Sequence, residues 1–159
     1  MNRRKAVSGF TMIEVLTVVA IVGIVAALAA PDFLASMRTM RLRADARDQV
    51  SYFRLARSTA VTESGNVGAF IDSTSQSLTL FYDLNGNNIL DAGDSTLLGP
   101  ISVSSDIRYR SCSFPNRTLV FRPNGSASAS GTLELASCAD STRSYTIEVL
   151  ASTGRVKLR

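Results

Sequence analysis

From Phe10 to Ala30 the chain is apolar almost without a break, interrupted only by Thr11, Glu14, Thr17 and Gly23. No polar face emerges at a helical period, so a helix here has no side to turn toward water. Roughly 21 residues at about 1.5 Å each span about 30 Å, the thickness of a bilayer core. Pro31 removes one intrahelical hydrogen bond and is expected to kink the helix, with Ala30 pushed from ideal geometry. Helical periodicity then resumes to about Glu63. Ala46, Val50, Phe53, Ala56 or Arg57, and Ala60 recur at steps of three and four, a stripe that should face a sheet. Arg43, Arg47, Ser51, Arg54 and Ser58 line the other side. Ser64-Gly65-Asn66 supplies the stop signal, with Gly65 available for a left-handed cap.

Beyond Gly65 the period changes to two. Short strands are predicted over residues 67–71, 78–82, 107–110, 118–121, 132–135, 145–150 and 155–158. Turn-rich connectors separate them, among them Asn85 to Asn88, Pro123-Asn124-Gly125 and Ser152-Thr153-Gly154. One long helix followed only by strands predicts an α+β domain whose antiparallel sheet wraps the C-terminal half of the helix. The expected division is a leader at 1–9, a hydrophobic helix at 10–33 and a globular domain at 34–159. That domain comprises a helix over 34–64 and strands over 67–158.

Charge changes the picture mainly through its placement. Three of the 17 basic residues, Arg3, Arg4 and Lys5, precede Gly9, leaving 14 against 13 acids in the rest. The next basic residue is Arg38, so the positive-inside rule puts the N-terminus in the cytoplasm and the domain outside the inner membrane. A secretory leader is cut after its apolar stretch. Here the small residue, Gly9, stands before it, and cleavage there leaves the apolar segment on the mature chain.

Gly9-Phe10-Thr11-Met12-Ile13-Glu14 closely resembles the prepilin signature of type IV pilins and type II secretion pseudopilins. The resemblance implies a prepilin peptidase cutting between Gly9 and Phe10 and methylating the new amine of Phe10. Three further stretches are similar to the GspH/FimT-type minor pilins and pseudopilins: Asp83-Leu84-Asn85-Gly86-Asn87, Phe121-Arg122-Pro123-Asn124-Gly125, and Tyr145-Thr146-Ile147 through Gly154-Arg155. With the N-terminal segment they span the mature chain, and they imply the type IV pilin fold. The implied role is a minor pilin near the pilus tip that helps prime assembly. Two alternatives stand beside it: a DNA-binding minor pilin for natural transformation, and a minor pseudopilin of a type II secretion system. The implied partners are other minor and major pilins, the prepilin peptidase, an inner-membrane assembly platform and its ATPase, and, in the transformation reading, double-stranded DNA. The implied location is the bacterial inner membrane, single-pass, and then an extracellular pilus or periplasmic pseudopilus.

The chemistry on offer is binding rather than turnover. The chain has no histidine, which removes the commonest general base. Glu14 is a carboxylate in an apolar helix, where a charge costs roughly 2.5–3.5 kcal/mol and needs a partner. The amine of Phe10, in its own chain or in a staggered neighbour, is the nearest cation. Cys112 and Cys138 lie in the exported part, where a disulfide is expected; two free thiols are the alternative. Asp83, Asn85, Asn87, Asp91 and Asp94 follow part of an EF-hand spacing, although Gly86 stands too early and Asp94 replaces the bidentate Glu. A calcium loop and a plain Asn/Gly turn are both consistent with it. Arg155, Lys157 and Arg159 alternate with Val156 and Leu158, three cations on one face of a strand. They form either a phosphate-facing strip, which Arg143 would enlarge, or a solvated strand face.

Overall fold

The computed structural model describes residues 10–140 and 142–159. Its first element, α1, runs unbroken from Met12 to Thr62 with Pro31 inside it. The chain divides between Met37 and Arg38 into two compact units. In the first, every described residue from Phe10 onward is exposed. This apolar stretch is long enough to cross a membrane.

The second unit holds the whole core. Along α1, Leu42, Ala46, Gln49, Val50, Phe53, Ala56 and Ala60 are buried, the period-3.6 stripe with two members added. Its alanines keep the helix surface shallow, so Phe53 is its one fully buried ring, meeting Phe114 edge-on at 6.2 Å, with Tyr52 partly buried beside the core. At the helix end the left-handed residue is Ser64, with φ +54°, and not Gly65. The Gly65 N–H donates to the carbonyl of Ala60 at 3.2 Å, which closes the last turn.

Two antiparallel four-stranded sheets follow. The first contains β1 (Val67–Asp72), β2 (Ser77–Tyr82), β3 (Ser95–Ser102) and β5 (Thr118–Phe121), in the order β3-β2-β1-β5. The second contains β4 (Ile107–Cys112), β6 (Gly131–Ser137), β7 (Ser144–Leu150) and β8 (Arg155–Leu158), in the order β4-β6-β7-β8. Ile71, Leu80, Leu119, Phe121, Leu133, Leu135 and Ile147 from both sheets join Phe53 and Leu42 in one core cluster. The pattern of alternation located seven strands and missed β3. That strand is exposed along most of its length, packs only Leu97 against the core and carries Gly99-Pro100, so it has neither a regular alternation nor an uninterrupted run of strand formers.

Candidate functional site

At the start of α1, Thr11 acts as the cap. Its Oγ1 accepts the Glu14 N–H at 3.3 Å and its carbonyl accepts the same N–H at 3.1 Å. Glu14 therefore sits in the first turn, where the exposed N–H groups of the helix favour a negative charge. Thr17 turns its hydroxyl back to the carbonyl of Ile13 at 2.7 Å, so the apolar run carries no unsatisfied hydroxyl there. Phe10 is exposed, and Gly9 and the leader lie outside the described residues. Pro31 is exposed in the middle of α1.

The expected disulfide is corrected by the strand register. Both cysteines are free thiols. The two segments that carry them do pair, with Tyr109 opposite Leu135, but Cys112 lies opposite Leu133 at one end of that ladder. Cys138 is at the other end, its N–H donating to the carbonyl of Asp106 at 2.8 Å. Five residues of strand separate the two positions, about 16 Å, whereas a disulfide needs α-carbons within about 7 Å. Cys112 is half-buried, and burial pushes its thiol pKa up.

The acidic loop is closed on itself. Asp83, 4% exposed, accepts the N–H groups of Asn87 and Asn88 at 3.1 and 3.2 Å. Asp94 accepts those of Leu84 and Asp91, both at 3.1 Å. Asp91 accepts the Gly93 N–H at 2.8 Å and the side-chain amides of Asn85 and Asn87 at 2.9 and 2.7 Å. These donors, the Gly93 N–H first, hold the Asp91 carboxyl below the usual range. Among the described residues no group of three acids, histidines or cysteines is placed to hold a metal ion, and Asp83, Asn85, Asn87, Asp91 and Asp94 are joined by hydrogen bonds within the loop.

The C-terminal cations separate into three settings. Arg155 and Lys157 are exposed on β8 while Val156 is buried between them. Arg159 is tied to Glu148 of β7 at 2.9 Å, and Lys157 faces that same glutamate across the ladder. Arg143 pairs with Asp140 at 3.1 Å and donates to the hydroxyl of Thr39. Arg155 lines a groove with Arg54 and Arg57 and, on its other side, a smaller hollow with Glu148, Lys157 and Arg159. Thr39 and Arg54 are about 22 Å apart along the helix, so Arg143 does not belong to the same patch.

Sequence reasoning missed what Arg57 does. Its Nε–H donates to the carbonyl of Gly125 at 2.9 Å. Gly154, at φ +59°, packs so closely there that a Cβ would stand 2.2 Å from that same carbonyl oxygen and 3.0 Å from Arg57 Nε. The turns at Gly125 and Gly154 thus meet over one helix arginine. Beside them, Arg54, Arg57, Val61, Arg155 and Val156 line a groove of about 800 Å³. The Gly/Arg pairing of turn and strand in the sequence was the only trace of it.

Residues 45–153 match the family described as type II transport protein GspH, and residues 4–30 match the prokaryotic N-terminal methylation motif. The chain belongs to the GspH family. The GspH match covers α1 from Asp45, the acidic loop and the turn at Gly125, and stops one residue before Gly154. Solved structures share the fold. The minor pseudopilin EpsH of the type 2 secretion system of Vibrio cholerae has a TM-score of 0.57 and 13% identity, over 75% of this chain and 96% of that one. The type IV minor pilin FimU of Pseudomonas aeruginosa has a TM-score of 0.56 and 16% identity, over 74% and 87%. Among curated proteins there is no significant sequence match. GspH-family membership makes this chain a minor pilin or pseudopilin, with one long N-terminal helix and antiparallel sheets.

Proposed function

We propose that the chain is a minor pilin of a type IV pilus, built into the filament near its tip and helping to prime assembly. The observation that carries this reading is the first half of α1: wholly exposed, apolar, and bearing one acid in its first turn. Such a surface needs lipid before assembly and other helices afterwards. In the membrane the chain spans once with its N-terminus in the cytoplasm. Prepilin peptidase cuts between Gly9 and Phe10 and methylates Phe10, and the platform protein and ATPase move the subunit into the filament. There Glu14 meets the Phe10 amine of a neighbour in a dry core. Intact-mass measurement of filament-associated protein should give a chain beginning at Phe10, methylated. Glu14→Ala should still be cleaved yet incorporate poorly. A mature chain that retains Arg3 to Lys5 would overturn the reading.

The second reading is a minor pseudopilin of a type II secretion system, favoured by the description of the matching family. Deleting the gene separates the two: loss of surface pili with normal secretion supports the first, and the reverse supports the second. DNA uptake has less support. Of the four cations proposed to face phosphates, Arg143 and Arg159 are ion-paired and Arg143 lies elsewhere.

A further inference from the structure

The groove between α1 and β8 holds charge that the filament reading leaves without a task. Arg54 and Arg57 come from the helix and Arg155 from the first position of β8. No acid lines the groove, and among the described residues neither Arg54 nor Arg155 has a carboxylate within 4 Å. Four other arginines of the domain, Arg41, Arg110, Arg143 and Arg159, do have one. A second hollow of about 370 Å³ continues along the helix between Arg47, Arg54 and Leu158. Arg47 and Arg54 are two turns apart, about 10 Å along one face.

Like charges gathered in one concavity repel, and no acid of the groove's own offsets them. An incoming anion would gain from that imbalance, since guanidinium forks bind carboxylates through paired hydrogen bonds. The floor is not polar. Val61 stands 49% exposed beside the arginines. Arginine beside an apolar side chain that a partner would cover is the composition that protein interfaces concentrate. A single strand of nucleic acid would want a ring to stack on, and no aromatic residue lines the groove. A duplex would want a continued row of free cations, but Arg159, the far end of the β8 row, is held by Glu148.

We propose that this groove is the docking site for an acidic segment of a neighbouring pilin-family subunit. A carboxylate seats between Arg54 and Arg155, and an adjoining apolar side chain covers Val61. Arg57, fixed by Gly125, is a positioning residue that holds the groove wall. The inference rests on the filament reading, in which neighbours are held at high effective concentration and a modest contact suffices.

The test uses the full chain in cells that assemble it. A photo-crosslinking amino acid is placed at Ser58, in the groove, and separately at Val22, in the apolar half. Ser58 should give an adduct with another pilin-family subunit, mapped by mass spectrometry to a segment with at least two Asp or Glu. The double variant Arg54→Glu, Arg155→Glu should cut that adduct at least tenfold and leave the Val22 adduct unchanged. Reversing the mapped acids to Lys should restore the adduct in the double variant. Val22 adducts without a Ser58 adduct, or a Ser58 adduct indifferent to the reversal, would overturn the docking site and leave the filament reading standing. Loss of both adducts would overturn both. A Ser58 adduct with nucleic acid would overturn the docking site in favour of a phosphate partner.

Discussion

The Arg57 Nε–H donates to the carbonyl of Gly125 at 2.9 Å, across 68 residues of sequence. This bond joins the helix to a turn that Gly154 also touches, so three segments distant in sequence share one contact. Arg57→Ala should cost about 1–2 kcal/mol, a charged donor lost from a half-buried carbonyl. Gly154→Ala should cost more, since its Cβ would meet a backbone oxygen at 2.2 Å in a left-handed conformation. Thermal melts should rank the two in that order. Equal stability of Gly154→Ala and the native chain would refute the packing described.

Asp83→Ala should strand the N–H of Asn88, while that of Asn87 keeps the Asn85 side-chain oxygen at 3.0 Å, at a cost of about 1–3 kcal/mol. The fall in melting temperature should be the same in calcium and in chelator. A melting temperature of the native chain that rises with calcium would restore the ion-binding reading of the loop.

The two thiols should label separately. Maleimide should reach exposed Cys138 first and Cys112 later, because Cys112 is half-buried and burial raises its pKa. Non-reducing peptide mapping should find no link between them. An intramolecular bridge would mean that the β4–β6 register is wrong.

The acidic loop should loosen in acid. Asp91 is held below its ordinary value of 3.8, so its contribution to stability is complete above that value and is lost as pH falls through the lower folded value. The amide resonance of Gly93 should report this locally, shifting below pH 3.8. In Asp91→Asn the shift should vanish.

How much of this was legible follows from where each signal lives. The buried stripe of α1 was, because Ala46, Val50, Phe53 and Ala60 repeat at the period of a helix. Strand β3 was not, since a strand that packs only Leu97 against the core leaves no regular alternation to read. Cysteine number and compartment fix no register, and a bulge between Tyr109 and Ser111 shifts it further. Arg57 stood beside Ala56 at the edge of the stripe. Its partner is a backbone carbonyl, which every residue type carries, so nothing in the sequence marked the pair.

All the burial in α1 begins at Leu42, although the helix begins at Met12. Ahead of it the described contacts to the rest of the domain are polar and peripheral: the Arg41–Asp106 ion pair at 3.8 Å and the bond from Arg143 to the Thr39 hydroxyl. In the proposed passage from lipid to filament, the apolar surface that changes its surroundings is therefore the first half of the helix, exposed from Phe10 to Met37.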